Sequence, residues 1–385
     1  MRNANLGWVF CASLIVGCGI DPTPTSTETP QALGVGDEHA DRHFQHVFYV
    51  MMENHGTDEI IGNTADAPFI NTLADQYGVA MNYYGVTHPS LPNYLSAFSG
   101  SFQGIWDDCK AGADVTCAPE EFVPDSGDST DTLLLTPEQI ASASATPHMF
   151  AGKNLVDRLE ARDLTWAAYM QSIPEVGSTV EYWPYDAVTG EPRKLYAQKH
   201  NPFEYFSDIR SNPERMKRIV PFDQLQTDLD ANKVPSFVWI SPDQCHDMHG
   251  VSAANAAALG MPECAASDSS VIALGDRFVE STVQSIMSSR AWQQDSAIVL
   301  VWDEDDYAGY DGCCGSPTTT GGAVLGGARA PALVITSKAP AHKIDLAPRN
   351  HYSMLATIEQ LWQLPCLGET CHMASHDLMT DLFMP

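Results

Sequence analysis

Five short polar clusters stand out in the chain because each combines side chains that can bind a metal ion, act as a nucleophile or carry a proton. They are residues 52–55 (MENH), 87–94 (THPSLPNY), 241–249 (SPDQCHDMH), 303–306 (DEDD) and 350–353 (NHYS). Carboxylate and imidazole groups are metal ligands, and a hydroxyl group beside a metal ion is a nucleophile at neutral pH. If the clusters meet in the folded chain, they predict a metal-assisted hydrolytic site.

Each cluster also has a simpler structural explanation. Glu53 could be a solvated carboxylate, Ser90 could cap a helix that begins near Pro92, and a lone histidine is usually structural. The run at 303–311 could be a hydrated loop or a calcium loop, but Tyr307 stands where such a loop needs a ligand. The coincidence of five clusters therefore favours a metal site more than any single cluster does.

The overall charge excludes several classes of partner. The chain has 385 residues with 20 Lys and Arg against 49 Asp and Glu, a formal net charge of -29. Nucleic acids and anionic bilayers would be repelled by such a chain, so neither is a predicted partner. A phosphate or carboxylate substrate would need a local cation, and a bound metal supplies one most economically. With 44% hydrophobic residues, the composition is that of a globular protein.

Apolar runs alternate with helical patterns along the chain, which predicts an α/β fold with a mostly parallel central sheet and helices on both faces. Predicted strands are residues 47–52, 79–83, 165–170, 236–240, 297–302 and 332–335, and predicted helices are residues 68–77, 92–99, 154–161, 271–288 and 353–361. The irregular stretches at about 107–150 and 175–212 are predicted insertions over the active face. The polar clusters follow strands or begin helices, which predicts that they converge at one sheet edge.

The amino-terminal segment indicates export. Residues 1–17 carry one positive charge and an apolar run too short to span a bilayer, as in a signal peptide. Residues 14–18 resemble the bacterial lipobox, which predicts a lipidated Cys18, a flexible tether at 18–40 and one folded domain at 41–385. The predicted location is the bacterial cell envelope, periplasmic or at the surface, with Cys18 as the sole membrane attachment; ordinary secretion is the alternative.

Eight cysteines remain after Cys11 and Cys18 are set aside, and an even number in an exported chain favours disulfides. Neighbouring pairs would be Cys109 with Cys117, Cys245 with Cys264, and Cys366 with Cys371, whereas the adjacent Cys313 and Cys314 stay unassigned. A zinc cluster is disfavoured because no Cys-x2-Cys pair recurs.

Seven stretches resemble the phosphoesterase family of bacterial acid phosphatases and phospholipases C, within the alkaline-phosphatase superfamily. They are residues 48–62, 67–78, 87–100, 198–202, 237–250, 298–306 and 350–362. A sulfatase relative would carry Cys-x-Pro-x-Arg, and the nearest string, CAPEE at 117–121, lacks the Arg.

The resemblance implies roles for individual residues. Ser90 would be the nucleophile, with Thr87 in reserve, and Asn54 would donate to a phosphoryl oxygen. The ligands of a first divalent ion would be Glu53, Ser90, Asp303 and Glu304. The ligands of a second ion would be Asp243, Asp247, His249 and His351. His88 and His200 would line the pocket, and His200 or His249 would protonate the leaving group.

These roles predict metal-dependent hydrolysis of phosphate monoesters, of the acid-phosphatase type, through a phosphoserine intermediate. Oxygen ligands suit Mg²⁺, Ca²⁺ or Mn²⁺, and the histidines would make Zn²⁺ acceptable at a second position. The substrate would be a small-molecule or lipid phosphate ester. One alternative is a phospholipase C or other phosphodiesterase that uses the aromatic residues at 182–185 and 203–206; another is a non-catalytic, calcium-binding surface lipoprotein. The sequence does not predict the oligomeric state.

Overall fold

The computed structural model describes residues 44–123, 133–266, 269–338 and 341–384. The predicted signal peptide, lipidated Cys18 and tether lie outside the described residues, as does part of the insert predicted at 107–150. Among the helices that the structure describes, none combines the length and apolarity needed to cross a bilayer.

A large mixed sheet organises the described residues. The strands are β1 (His46–Met52), β2 (Gly78–Ala80), β3 (Tyr83–Tyr84), β4 (Trp166–Met170), β5 (Tyr182–Tyr185), β6 (Pro192–Ala197), β7 (Ile219–Pro221), β8 (Phe237–Ser241), β9 (Ser296–Trp302), β10 (Arg329–Ala330), β11 (Ala332–Thr336), β12 (Lys343–Asp345) and β13 (Arg349–Asn350). Eight of them form the main sheet in the order β12-β2-β11-β9-β1-β8-β4-β7. Only β11 runs antiparallel to its neighbours β2 and β9, so the predicted mostly parallel sheet is confirmed.

The helices cover both faces of this sheet, as the α/β prediction requires. They are α1 (Thr57–Ile60), α2 (Pro68–Gln76), α3 (Ser90–Ser99), α4 (Pro137–Ser144), α5 (Leu155–Glu160), α6 (Ser207–Arg210), α7 (Pro213–Met216), α8 (Gln224–Asp230), α9 (Ala253–Leu259), α10 (Ser270–Ser288), α11 (His351–Leu361) and α12 (Thr380–Phe383). Short 3-10 turns include Gln198–His200 and Pro202–Tyr205.

Strand β1 shows how the sheet builds two cores. Its residues alternate between the faces: Tyr49 and Met51 pack in one core with α3 and α11, and Phe48 and Val50 pack in the other with α2 and α10. Every residue from Val47 to Met52 is buried, because a central strand covered on both faces has no solvent side. The uninterrupted apolar run that predicted this strand reflects that double burial.

Two regions differ from the sequence prediction. The strand predicted at 79–83 is divided into β2 and β3, and β3 pairs with β10 and β13 in a separate three-stranded sheet. Met81 and Asn82 form a turn at the break, and the Asn82 side chain donates a long-range hydrogen bond to the Leu346 carbonyl at 2.7 Å. The stretch at 175–212, predicted to be irregular, contains the β5–β6 hairpin.

All eight cysteines of the described residues are paired. The three predicted pairs, Cys109–Cys117, Cys245–Cys264 and Cys366–Cys371, are present, and Cys313 is bonded to its neighbour Cys314. The sequence left this last pair unassigned because a bridge between adjacent residues needs an unusual backbone geometry.

The buried side chain of Glu359, in α11, should make the free energy of unfolding depend on pH. Its side chain is fully buried, and desolvation raises its pKa to about 8 despite the nearby positive charge of Arg158. The folded chain therefore keeps a proton that the unfolded chain releases near the ordinary glutamate pKa of about 4.3. Stability should fall as pH rises from that value through about 8, with a slope approaching ~1.4 kcal/mol per pH unit.

Denaturant unfolding of the wild type and Glu359→Gln between pH 5 and pH 8 measures this effect. The stability advantage of Glu359→Gln over the wild type should grow with pH. The matched control is Glu214→Gln, since the Glu214 side chain is 79% exposed, and it should follow the wild type within about 0.5 kcal/mol. A constant difference between Glu359→Gln and the wild type over this range would contradict the prediction.

Candidate active site

Three of the five polar clusters converge where β8, β1 and β9 end. These strands are parallel neighbours, so their carboxyl ends lie at one edge of the sheet. Glu53 follows β1 directly and its backbone N–H donates to the Asp247 carbonyl at 2.9 Å. Asp303 follows β9 and donates to the Met52 carbonyl at 3.0 Å. Main-chain hydrogen bonds thus hold the three strand ends together.

Ser90 brings the fourth cluster to the same place. It is the first residue of α3 and is 1% exposed. Its hydroxyl group donates to Glu53 Oε2 at 2.9 Å, and Glu304 Oε1 lies 3.4 Å away as a second acceptor. The Lys199 ammonium lies 3.3 Å from the same hydroxyl oxygen. A buried hydroxyl therefore sits among two carboxylates and one cation.

Asn93, one turn into α3, holds the loop before Ser90 in place. Its Oδ1 accepts from the backbone N–H groups of Val86 and Thr87 at 2.7 and 3.2 Å. Its Nδ2 donates to the Thr87 carbonyl at 2.6 Å and to Glu304 Oε2 at 3.1 Å. One buried amide therefore links the helix that begins at Ser90, the preceding loop and an acidic side chain.

His88 and Asn54 complete the surroundings of Glu304. The His88 Nδ1 atom lies 2.8 Å from Glu304 Oε2, and the ring stacks on Tyr307 with centroids 4.4 Å apart. The Asn54 side chain donates to Glu304 Oε1 at 3.1 Å, and its backbone N–H donates to Asp303 Oδ1 at 3.1 Å. Both residues that the sequence predicted beside a phosphoryl group thus contact the acidic cluster.

The electrostatics of the cluster favour a bound cation. Burial raises the pKa of Glu53 and of Asp303 well above their usual range, and neighbouring carboxylates raise both further. The pKa of Glu304 is also raised well above its usual range, mainly by burial. Burial by itself lowers the pKa of Lys199, but Asp108 and Glu53 raise it above the ordinary value overall. Several buried carboxylates sharing one ammonium are an electrostatic imbalance that a divalent ion would correct.

Unpaired oxygen atoms show where such an ion fits. Glu53 Oε1, Asp303 Oδ2 and Asn54 Oδ1 are buried and make no hydrogen bond. They are hard oxygen donors of the kind that Mg²⁺, Ca²⁺ and Mn²⁺ prefer. Among the described residues, the one trio of His, Cys, Asp or Glu ligand atoms within 4.8 Å of one another is Asp107, Cys109 and Cys117, whose cysteines are disulfide-bonded. The ligand atoms of the acids around Ser90 are spaced more widely than those of this trio. Their ability to hold a metal ion is therefore indicated by the chemical type of these oxygens and by the buried oxygens that make no hydrogen bond.

Two of the four residues implied as ligands of a second ion, Asp243 and His351, are engaged with protein groups, whereas Asp247 Oδ2 is buried without a hydrogen bond. Asp243 accepts from Ser172 at 2.7 Å through Oδ2 and from His246 Nδ1 at 2.7 Å through Oδ1. His351 Nε2 lies 2.7 Å from the Asp303 carbonyl, which can only accept, so this nitrogen carries the proton. Its Nδ1 then accepts from the Tyr83 hydroxyl at 2.9 Å. These hydrogen bonds give both side chains a structural role without a metal.

The remaining predicted residues lie near Glu53 and Asp247. His200 Nε2 is 3.2 Å from Glu53 Oε1 and its Nδ1 is 3.3 Å from Asp247 Oδ2, without hydrogen-bond alignment. His249 Nδ1 donates to the Gly250 carbonyl at 2.8 Å, and the side chain lines an open cavity. Burial lowers the pKa of His249 to about 4. Both histidines are therefore adjacent to the acidic cluster, with His249 nearer to solvent.

Two residues at the site were not predicted from the sequence. Lys199 contacts Ser90, and Asp108 Oδ2 pairs with the Lys199 ammonium at 2.7 Å. A lysine beside a predicted pocket histidine, in a chain with few cations, was the available signal. Asp108 offered no comparable signal, because acids are abundant in the chain and the insert around it has no regular pattern.

The model of the Phosphoesterase family matches residues 63–365. The chain belongs to the Phosphoesterase family. The matched range includes α3 with Ser90, the 3-10 turn with Lys199 and the strand that precedes Asp303. The resemblance recognised in the sequence motifs is therefore confirmed for this family.

Individual relatives are distant. The chain is 23% identical over 331 residues to a Kluyveromyces lactis protein named probable acid phosphatase, covering 84% of this chain and 60% of the relative. It is 27% identical over 325 residues to a phosphatidylinositol-3-phosphatase of Mycobacterium tuberculosis, covering 84% and 79%. A Vibrio parahaemolyticus structure in the alkaline phosphatase superfamily superposes with TM-score 0.47 at 10% identity, covering 86% of this chain and 69% of that one. The phosphoesterase chain thus spans less than two thirds of the fungal relative's length.

Replacing Asn93 by alanine should show whether this residue supports the candidate site in addition to stabilising the fold. The change leaves two buried N–H groups without acceptors, which should lower the free energy of unfolding by about 2–4 kcal/mol. Loss of the contacts to Glu304 and to the Ser90 loop should also lower kcat by about tenfold or more. Denaturant unfolding and steady-state phosphatase assays measure the two effects.

Asn71 is the matched control. It makes the same kind of contacts in α2, accepting from the Gly62 N–H at 2.6 Å and donating to the Ile60 and Ala67 carbonyls at 2.9 and 2.8 Å. Asn71→Ala should lose similar stability and keep kcat within about threefold of wild type. Equal kcat losses in both variants would show that Asn93 supports only the fold.

Proposed function

We propose that this chain hydrolyses phosphate monoesters through a phosphoserine formed on Ser90, with a divalent metal ion as cofactor. The observation that carries the proposal is the Ser90 hydroxyl at the buried start of α3, 2.9 Å from Glu53 Oε2 and 3.4 Å from Glu304 Oε1. A serine hydroxyl needs activation to act as a nucleophile, and a carboxylate-bound cation is one established means. The names of the acid phosphatase and phosphatidylinositol-3-phosphatase relatives support the same reaction type.

The ion would be held by Glu53, Asp303 and Glu304, with Asn54 Oδ1 as an additional oxygen ligand. A bound divalent ion stabilises an alkoxide and offsets charge on phosphoryl oxygens. This donor set contains only oxygen, which favours Mg²⁺, Ca²⁺ or Mn²⁺ over Zn²⁺. We propose one such ion, because Asp243 and His351 already use their ligand atoms in hydrogen bonds within the protein.

The proposed reaction has two steps. As the bond between Ser90 Oγ and phosphorus forms, the ester P–O bond breaks, the hydroxyl proton leaves and the departing alcohol takes up a proton. Water then cleaves the phosphoserine and releases inorganic phosphate. Of the two histidines, His249 is the better placed to protonate the leaving group, since it lines the open cavity while His200 is buried beside Glu53. Because burial lowers the pKa of His249 to about 4, this side chain would carry that proton in acidic solution.

The cavity next to the site accommodates a sizeable leaving group. Its volume is about 670 Å³, and Lys199, Tyr182 and His249 line it. This space suits a small organic phosphate or the headgroup of a phospholipid that carries a monoester phosphate. It also has room for the second ester group of a phosphodiester, which keeps phospholipase C activity as the second candidate.

We further infer that the protein is exported, as a lipoprotein anchored through Cys18 or as a secreted enzyme. Four disulfides in the described residues support an oxidising compartment. Metabolic labelling with palmitate, compared between the full chain and Cys18→Ala, distinguishes the two. Label that depends on Cys18 supports the lipoprotein, and unlabelled protein in the medium supports secretion.

Ser90→Ala should remove turnover of p-nitrophenyl phosphate, because the Ser90 hydroxyl contacts Glu53 and Glu304 whereas the Thr87 hydroxyl accepts a hydrogen bond from Trp106 instead. Acid quenching of the wild type during turnover, followed by digestion and mass spectrometry, should find phosphate on the peptide that contains Ser90. Ser99→Ala is the control in the same helix, since the Ser99 hydroxyl donates to the Leu95 carbonyl at 2.8 Å. If Ser90→Ala turned over substrate at the same rate as Ser99→Ala, this result would contradict the phosphoserine mechanism.

Metal dependence and ester preference can be tested together. A chelator should abolish hydrolysis of p-nitrophenyl phosphate, and Mg²⁺, Ca²⁺ or Mn²⁺ should restore it more fully than Zn²⁺. Bis-p-nitrophenyl phosphate should be hydrolysed at least about tenfold more slowly than the monoester if monoesters are preferred. The reverse preference would support a phosphodiesterase. Full activity in chelator would contradict the cofactor, and no activity toward either ester would favour the non-catalytic, calcium-binding alternative.

A further inference from the structure

We propose that Lys199 is a catalytic residue of this site, whose ammonium binds the phosphoryl group during its transfer to Ser90, and that Asp108 is the residue that positions it. The inference rests on the proposed phosphatase function and assigns residues that the resemblance to the family left without a role. It concerns the cation that the chain itself supplies, in addition to any bound metal.

The first observation that supports the proposal is the position of Lys199. Its Nζ atom lies 3.3 Å from Ser90 Oγ and 2.7 Å from Asp108 Oδ2, and its side chain is 11% exposed. An ammonium group has three N–H donors. Two of them serve Ser90 and Asp108, so one remains for a phosphoryl oxygen that approaches the serine from the cavity that Lys199 also lines.

Asp108 ties this ammonium to the nucleophile's helix. One carboxylate oxygen pairs with Lys199, and the other accepts the backbone N–H of Leu91 at 2.9 Å. Leu91 follows Ser90 in α3, so movement of the helix start would move Asp108 and the ammonium with it. The carboxylate therefore fixes the distance between the cation and the hydroxyl group.

The loop that carries Asp108 is itself firmly held. The next residue, Cys109, is bonded to Cys117, and the preceding residue, Asp107, is fully buried and lies 2.7 Å from His148 Nε2. The predicted insert at 107–150 thus supplies a rigid support to the active site. A loop anchored on both sides of one aspartate is the arrangement that a positioning residue requires.

The charge at the site gives this cation a function. Three buried acids, Glu53, Asp303 and Glu304, surround Ser90 and would repel a phosphate dianion. A single divalent ion carries fewer positive charges than these acids carry negative ones. Of the described side chains in contact with Ser90 Oγ, Lys199 is the positive one. The ammonium thus supplies positive charge beside the Ser90 hydroxyl in addition to that of a bound ion.

Steady-state kinetics of four variants test the proposal in the metal-loaded, full-length protein. Lys199→Met should lower kcat/KM by about 10²- to 10³-fold, as loss of a charged group at a transition state does. Lys199→Arg should keep activity within about tenfold of wild type, since it retains the charge. Asp108→Asn should lower kcat/KM by about tenfold, and the double variant Lys199→Met with Asp108→Asn should match Lys199→Met alone, because Asp108 acts through Lys199.

Binding of inorganic phosphate gives a readout that does not depend on turnover. In the Ser90→Ala background, calorimetry should find phosphate binding weakened at least about tenfold by Lys199→Met and restored by Lys199→Arg. The matched control is Lys217→Met, because the Lys217 ammonium pairs with Glu214 at 2.6 Å, its side chain is 65% exposed and it does not line the cavity. This control should change kcat/KM and phosphate binding by less than about threefold.

The outcomes distinguish this proposal from the proposed function. If Ser90→Ala is inactive while Lys199→Met behaves like Lys217→Met in both measurements, the phosphatase stands and the role of Lys199 is overturned. Additive losses in the double variant would overturn the positioning role of Asp108. If Lys199→Met unfolds, Lys199→Gln keeps a hydrogen-bonding side chain without the charge, and wild-type phosphate affinity in that variant would equally overturn the proposal.

Discussion

The structure depends on placing one serine hydroxyl among carboxylates that are removed from water. Glu53, Asp303 and Glu304 are all fully buried, and isolated buried carboxylates are costly unless they are protonated, paired or bound to a cation. Hydrogen bonds from Ser90, Asn54 and neighbouring groups satisfy some of their oxygens, and others are left without a partner. Such a site is stable in its charged form only with positive charge at its centre.

The fold concentrates these groups because parallel strands end at the same edge. β1 lies between β8 and β9, so the residues that follow the three strands are neighbours although they are far apart in the chain. α3 then directs its first residue toward this edge, and α11 places His351 against the Asp303 backbone. The amide of Asn93 and the carboxylate of Asp108 fix the start of α3 against the loops on either side. Rigid elements, rather than long flexible loops, therefore hold the Ser90 hydroxyl.

Much of the fold was predictable because its signals are local. β1 and β9 are buried on both faces, and this burial leaves uninterrupted apolar runs in the sequence. The residues that follow these strands were predicted to converge, which required only that the strands be parallel. The division of β2 from β3 and the β5–β6 hairpin were missed because they depend on a turn at Asn82 and on pairing within an irregular insert.

The sequence by itself determined the α/β class, the family and many of the residues at the candidate site, since these depend on periodicity and on short motifs. Only the tertiary structure decided which of those residues contact the hydroxyl of Ser90 and which form hydrogen bonds with other protein groups. Asp243 and His351 form hydrogen bonds with other protein groups, whereas Lys199 contacts the Ser90 hydroxyl and Asp108, from an irregular insert, contacts the start of α3. The physical reason is that hydrogen-bond partners 91 or 214 positions apart in the chain are set by packing, which no local pattern encodes.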